Sequence, residues 1–177
     1  MEQEPIMPRL RGLGLAGVRF VSDGSNLVVN LAPAVLSHLQ LHRQTSDAAT
    51  EAGGQLFARF TENTIAIEKA TGPRRSDRRT VWSFLPDRLA ERREINALFK
   101  QGLHFVGDWH THPQAQPAPS GRDIASFLDM FKKSHHELSD FVMIIVGTEA
   151  SVSGLFVALV NGKRLLALQP APPQIMR

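Results

Sequence analysis

A chain of 177 residues, 42% hydrophobic and 21% charged, suits one folded domain with its own core. It contains no cysteine, which excludes disulfides, thiolate metal sites and cysteine nucleophiles, and fits a reducing compartment. The formal charge is only +3, and its arginines are not interleaved with aromatics, so a nucleic-acid platform is not expected.

The opening segment MEQEPIMPRL lacks the basic start and apolar run of a signal peptide, and no stretch reaches the roughly 20 apolar residues of a membrane helix. A cytoplasmic location without membrane contact is the expectation. Residues 1–11 read as a flexible arm, because Pro5 and Pro8 break any helix. Residues 12–170 read as the domain, and 171–177 as a proline-rich, frayed tail.

Within the domain, Val18–Val21 and Asn26–Asn30 read as strands around an Asp23-Gly24 turn. Leu31–His42 reads as a helix, with Leu36, His38 and Leu39 at helical spacing. Leu56–Phe60 and Thr64–Ala70 suggest a hairpin, followed by a polar loop over Thr71–Arg79 and a short strand at Thr80–Phe84. Arg74, Arg75, Arg78 and Arg79, with Arg88, Arg92 and Arg93, carry most of the positive excess. A solvated loop and helix face is the plain account of them, and a docking surface for an acidic partner the sharper one.

Pro86–Lys100 has the pattern of a helix, with Leu89, Ile95, Leu98 and Phe99 on one side and Gly102 as its stop. Leu103–Trp109 reads as a strand, His110–Pro119 as a loop, and Ser120 to about Lys132 as a helix. Phe141–Val146, Gly154–Val160 and Arg164–Gln169 complete the strands, with a turn at Asn161-Gly162. Hairpins outnumber crossover helices, which predicts an α/β (α+β) domain: a mixed, mostly antiparallel sheet flanked by helices.

The chemistry concentrates between Gly107 and Asp123. His110 and His112 stand two residues apart at a strand end, and Asp123 lies at the entry of the next helix. Two neutral imidazoles and a carboxylate suit catalytic zinc and leave a fourth position open for hydrolysis. Taken singly, the histidines read equally as a surface pair. Ser120-Gly-Arg-Asp123 also fits a helix capping box, a role that competes with ligation for Asp123. Hydrolysis needs a proton acceptor that is not a ligand, and Glu51, before Gly53 and Gly54, is the candidate. The glycines permit close approach by backbone, as beside a metal or an extended substrate. A glutamate at a strand edge before a glycine turn is the plainer account.

The set Glu51-Ala-Gly-Gly, His110-x-His112-Pro113 and Ser120-x-x-Asp123, with seven residues between His112 and Ser120, resembles the JAMM signature of the JAB/MPN/Mov34 metalloproteases. Ala70-Thr-Gly-Pro73, Ser83-Phe-x-Pro86-Asp87 and Gly107-Asp-Trp-His-Thr-His-Pro113 resemble its bacterial branch in antiviral CBASS or Bil-type operons. The resemblance runs from about Leu27 to Val160. It implies a cytidine-deaminase-like fold and an isopeptidase or peptidase that cuts after the C-terminus of a ubiquitin-like protein, or of a protein conjugated by similar machinery. It implies one zinc per chain on His110, His112 and Asp123, Glu51 as general base, Ser120 as oxyanion stabiliser, and E1-like and E2-like partners. The alternative is a catalytically silent MPN-type scaffold. Asp108 is a candidate to orient a ligand histidine, and Trp109 to pack beneath the site. His38, His42, His104, His135 and His136 read as structural or exposed.

Overall fold

The computed structural model describes residues 17–172 except 23 and 25, so the expected arm at 1–11, Asp23 and residues 173–177 of the expected tail lie outside it. The described residues form eleven strands and three α-helices: β1 (Val18–Val21), β2 (Val28–Leu31), α1 (Pro33–Leu41), β3 (Gly53–Thr61), β4 (Thr64–Ala70), β5 (Arg78–Thr80), β6 (Ser83–Leu85), α2 (Arg88–Phe99), β7 (His104–Thr111), α3 (Gly121–Lys133), β8 (Phe141–Val146), β9 (Leu155–Val160), β10 (Leu165–Ala167) and β11 (Gln169–Pro170). Nine strands form one sheet in the order β10-β9-β8-β7-β3-β4-β2-β1-β11. Among the described residues, only β2–β4 and β7–β8 pair in parallel, so the sheet is mixed and mostly antiparallel, as the hairpin-rich pattern predicts.

The alternation of β8 explains the layers. Val142, Ile144 and Val146 meet Val35, Leu36 and Leu39 of α1 on one face. Phe141, Met143 and Ile145 meet Phe127 of α3 on the other. All six residues of β8 are buried, as a central strand covered on both faces requires. Leu98 of α2 packs on Phe57 and Leu103 on the α3 side of the sheet. Gly102 ends that helical segment at φ +75°, a conformation glycine adopts without steric cost.

Four expectations are corrected. The strand read at Thr80–Phe84 is a hairpin, β5–β6, which forms its own two-stranded sheet and turns at Val81-Trp82. Strand β7 continues through His110 and Thr111, which were read as loop. Helix α2 leaves Leu89 and Phe99 exposed and buries Glu91, because Arg74 and Arg88 lie beside that carboxyl. The strand read at Arg164–Gln169 is two, β10 and β11, which lie at opposite edges of the sheet, and Ala171 N–H donates to Arg19 O at 2.8 Å. Among the described residues, no helix is long and apolar enough to cross a membrane.

Candidate metal centre and catalytic cleft

The extension of β7 builds the centre. Side chains alternate along a strand, so Trp109 and Thr111 turn toward α1 while His110 joins the opposite face. His112 N–H donates to Val146 O at 2.9 Å, which keeps that residue in step with β8 just past the strand end. The two imidazoles meet with Nε2 atoms 3.2 Å apart. Asp123 closes the third side, with Oδ1 3.4 Å from His110 Nε2 and Oδ2 3.4 Å from His112 Nε2. Zinc bonds of roughly 2.0–2.2 Å at tetrahedral angles separate neighbouring ligand atoms by about 3.3–3.5 Å. One donor atom from each residue lies within 4.8 Å of the other two, an arrangement that could close on such an ion, and the chemistry of the set suits zinc.

The conflict expected between capping and ligation does not arise. Asp123 Oδ2 accepts from Ser120 N–H at 2.7 Å and from Ser120 Oγ–H at 2.6 Å, while Ser120 Oγ accepts from Asp123 N–H. This is a complete capping box at the start of α3. Oδ1 stays outside the box and faces His110. A carboxylate has lone pairs for both tasks, and the first turn of a helix favours its negative charge. Burial works to raise the Asp123 pKa, but hydrogen bonds from His110, His112 and Ser120 hold it well below the usual carboxylate range. The same contact with Asp123 raises His112.

Glu51 lines the same cleft as these three residues. Burial raises its pKa, and the neighbouring histidines pull the other way. Its backbone is tied down on both sides. Glu51 N–H donates to Thr80 O at 2.8 Å, and Arg79 Nε donates to Glu51 O at 2.7 Å. Arg79 thus serves as a tether rather than as part of a solvated loop.

Sequence reasoning passed over two further residues. Thr111, between the histidines, is fully buried; its Oγ accepts from Ala52 N–H at 2.9 Å and donates to Gln44 Oε1 at 2.9 Å. Gln44 Nε2 donates in turn to Ala49 O and Val81 O. The network joins the strand that carries the histidines to the segment that carries Glu51. A hydroxyl residue on the inward face, with a histidine on either side, was the available signal.

The cleft holds about 530 Å³. Strand β7 is its floor, α3 one wall, and β6 with the start of α2 the other. Gly53 and Gly54 do not make room for substrate. A Cβ at Gly53 would meet the Phe84 ring, and one at Gly54 would fall inside the Thr71 carbonyl, so the chain's own packing requires both glycines. Trp109 is buried beneath the site, with Nε1–H donating to Thr71 O at 2.9 Å and the rings of His38 and His42 against it. Burial lowers the pKa of both histidines, that of His42 to about 4. Asp108, the candidate to orient a ligand histidine, has its carboxyl buried near Glu91, Arg88 and Arg74, with Oδ1 bonded to no histidine. Arg74 is likewise part of the structure, paired with Asp77, Glu91 and Glu94. His136 bonds Phe131 O, and His104 lies between Phe60 and Phe99.

Comparison with known proteins gives a concordant result. Residues 33–159 match the family described as prokaryotic homologs of the JAB domain. A protein of Pseudomonas aeruginosa named CD-NTase/cGAS isopeptidase is 30% identical over 148 residues, spanning 81% of this chain and 89% of that one. An Escherichia coli protein of the same name is 32% identical over 112 residues, 62% of this chain and 71% of the relative. One from Enterobacter hormaechei is 27% identical over 156 residues, 83% and 82% respectively. The solution structure of protein DSY2949 from Desulfitobacterium hafniense shares the fold, with a TM-score of 0.57, 18% identity, and coverage of 78% of this chain and 88% of that one. With more than half of the chain matched by the family model, this protein belongs to the prokaryotic branch of the JAB-domain family.

Proposed function

We propose that this protein is a zinc-dependent isopeptidase, with one zinc per chain on His110, His112 and Asp123. It would release a ubiquitin-like protein, or a protein conjugated by ubiquitin-like machinery, from its target. The observation that carries the reading is that one donor atom from each of His110, His112 and Asp123 lies within 4.8 Å of the other two. The relatives named CD-NTase/cGAS isopeptidase support the reaction class and a place in antiviral operons. A cytoplasmic location and E1-like and E2-like partners are part of the same proposal. Residues 12–170 would be the catalytic unit.

Bound zinc would supply a polarised carbonyl and a water of lowered pKa. The residues of the chain supply the rest. Glu51 accepts the proton of the attacking water and passes it to the leaving lysine amine. Its raised pKa suits that double role, because the base must also serve as an acid. The Ser120 hydroxyl turns from Asp123 toward the cleft and donates to the oxyanion. The Thr111–Gln44 network and Arg79 hold the Glu51 segment against the strand that carries the histidines.

The test is cleavage of a ubiquitin-like protein fused through its C-terminus to a reporter. Zinc-loaded wild type should cleave; Glu51→Gln should bind one zinc and not cleave; chelator-treated protein should be silent. Absence of stoichiometric zinc in wild type would overturn the reading. Cleavage that survives Glu51→Gln would remove the assigned base.

A further inference from the structure

Between Thr71 and Arg93 the chain carries seven arginines and three acids, so the positive excess of a chain of formal charge +3 lies in this one segment. The fold sorts these charges by sign. The acids turn inward or are tied down. The Asp77 carboxyl is buried, where it accepts from Arg74 N–H and Asp87 N–H, and the Glu91 carboxyl is buried beside Arg74 and Arg88. Asp87 caps α2 by accepting from Leu89 N–H and Ala90 N–H. Arg74 and Arg88 are committed to these acids, and Arg79 to the Glu51 segment. Arg75, Arg78, Arg92 and Arg93 are left exposed, and none has an ion-pair partner among the described residues.

The four lie on one surface. The Asp77 bonds hold the turn that carries Arg75 against the start of α2. Arg78 stands opposite Leu85 in the β5–β6 hairpin, and the side chains of a directly opposed pair share a face. Leu89 is followed at helical spacing by Arg92 and Arg93 on the exposed side of α2. Large apolar groups stand among the cations: Trp82, Leu85 and Leu89 are 79%, 59% and 65% exposed. Tryptophan and arginine are the side chains that most often carry binding energy at protein interfaces. Trp82 and Leu85 also line the catalytic cleft, so a protein docked here stands at its mouth.

We propose that this wall of the cleft is a docking face for an acidic protein surface with an apolar centre. Charge complementarity sets the sign of the partner, because the acids of this region are already spent on its inward arginines and on the helix cap. The apolar side chains set its kind. A nucleic-acid backbone answers the arginines and leaves Leu85 and Leu89 in water, whereas a protein surface covers both. The inference stands on the surface alone and not on the zinc or the reaction.

The test is binding to the full chain, read by fluorescence anisotropy at about 0.15 M salt, where distant charges are screened. Three labelled peptides of equal length are the probes: glutamate with leucine, glutamate with serine at the same charge, and lysine with leucine. A labelled DNA duplex is the fourth. The glutamate–leucine peptide should bind about tenfold more tightly than the glutamate–serine peptide, and the lysine–leucine peptide more weakly than either. Trp82→Ser should remove most of that advantage. The triple variant Arg78→Glu, Arg92→Glu, Arg93→Glu should weaken the glutamate–leucine peptide about tenfold or more. These side chains have no ion pair to lose, so the fold should persist, and thermal unfolding checks this. A control, Lys132→Glu, Lys163→Glu, Arg164→Glu, reverses as many charges around the β9–β10 turn and should change binding by less than about threefold. Equal binding of the two glutamate peptides, or no binding of either, would overturn the docking face. Tighter binding of the duplex would overturn it in favour of nucleic acid. Binding that survives the triple variant, or falls as far in the control, would place the contact elsewhere. Zinc content and reporter cleavage play no part in this readout, so its failure leaves the isopeptidase reading standing, and the failure of that reading leaves this face.

Discussion

Thr111→Val tests whether a buried hydroxyl holds the catalytic segment in place. Valine matches threonine in shape, so no cavity forms. The change strips one acceptor from Ala52 N–H and one donor from Gln44 Oε1, both in a fully buried setting. Each unsatisfied buried group costs about 1–3 kcal/mol, and the added apolar surface returns about 1 kcal/mol. The net expectation is about 1–5 kcal/mol, or roughly 2–20 °C in Tm for a domain of this size. Urea and thermal unfolding of the zinc-free protein measures it, with Thr111→Ser as the control that keeps the hydroxyl and loses less than about 1.5 kcal/mol. Because Ala52 follows Glu51, the valine variant should also cleave about tenfold more slowly while binding zinc normally. A valine variant within 0.5 kcal/mol of wild type, on the order of an ordinary surface change, would refute the network as a structural tie. Lost stability with unchanged cleavage would refute its positioning role.

Other perturbations test separate parts. Ser120→Ala removes the hydroxyl half of the capping box and should cost about 1 kcal/mol; kcat should fall about 100-fold or more while zinc binding persists, and an unchanged kcat would exclude Ser120 from the oxyanion site. Gly54→Ala drives a Cβ into the Thr71 carbonyl and should destabilise by about 3 kcal/mol or more; a soluble variant with a wild-type melting curve would contradict the described packing. The His38–His42 pair predicts an acid-sensitive fold. The folded pKa of His42 is about 4 against an unfolded 6.5, so between these values the unfolded chain binds more protons. The stability it contributes is complete above pH 6.5 and is lost as pH falls toward 4. After allowance for its partial exposure, that is about 1–2 kcal/mol. Urea midpoints at pH 7 and 4.5 should show the loss, and His42→Gln should flatten it; an equally steep profile in the variant would assign it elsewhere.

The patterns legible in the sequence are those that local chemistry dictates. The all-apolar run Phe141–Val146 reads as a strand and forms one, and Ser120 caps its helix where the Ser120-Gly-Arg-Asp123 pattern suggests. The residues of the candidate centre were legible as well, because strand alternation puts both histidines on one side and the capping pattern places Asp123 at a helix entry. Thr80–Phe84 misled because the turn at Val81-Trp82 has no glycine, proline or asparagine to mark it. Leu89 and Phe99 misled because periodicity sees apolar residues and not the arginines that draw Glu91 inward.

By itself, then, the sequence determined the residue types available for the chemistry, the periodicities that make the sheet and helices, and the spacing that identifies the family. Tertiary structure alone decided which oxygen of Asp123 caps and which faces His110, that Thr111 and Arg79 secure the Glu51 segment, and that Asp108 lies unbonded in the cleft. The reason is range. Periodicity and capping act over a few residues, whereas Thr111 meets Gln44, and Arg79 meets Glu51, only after the strands between them have paired.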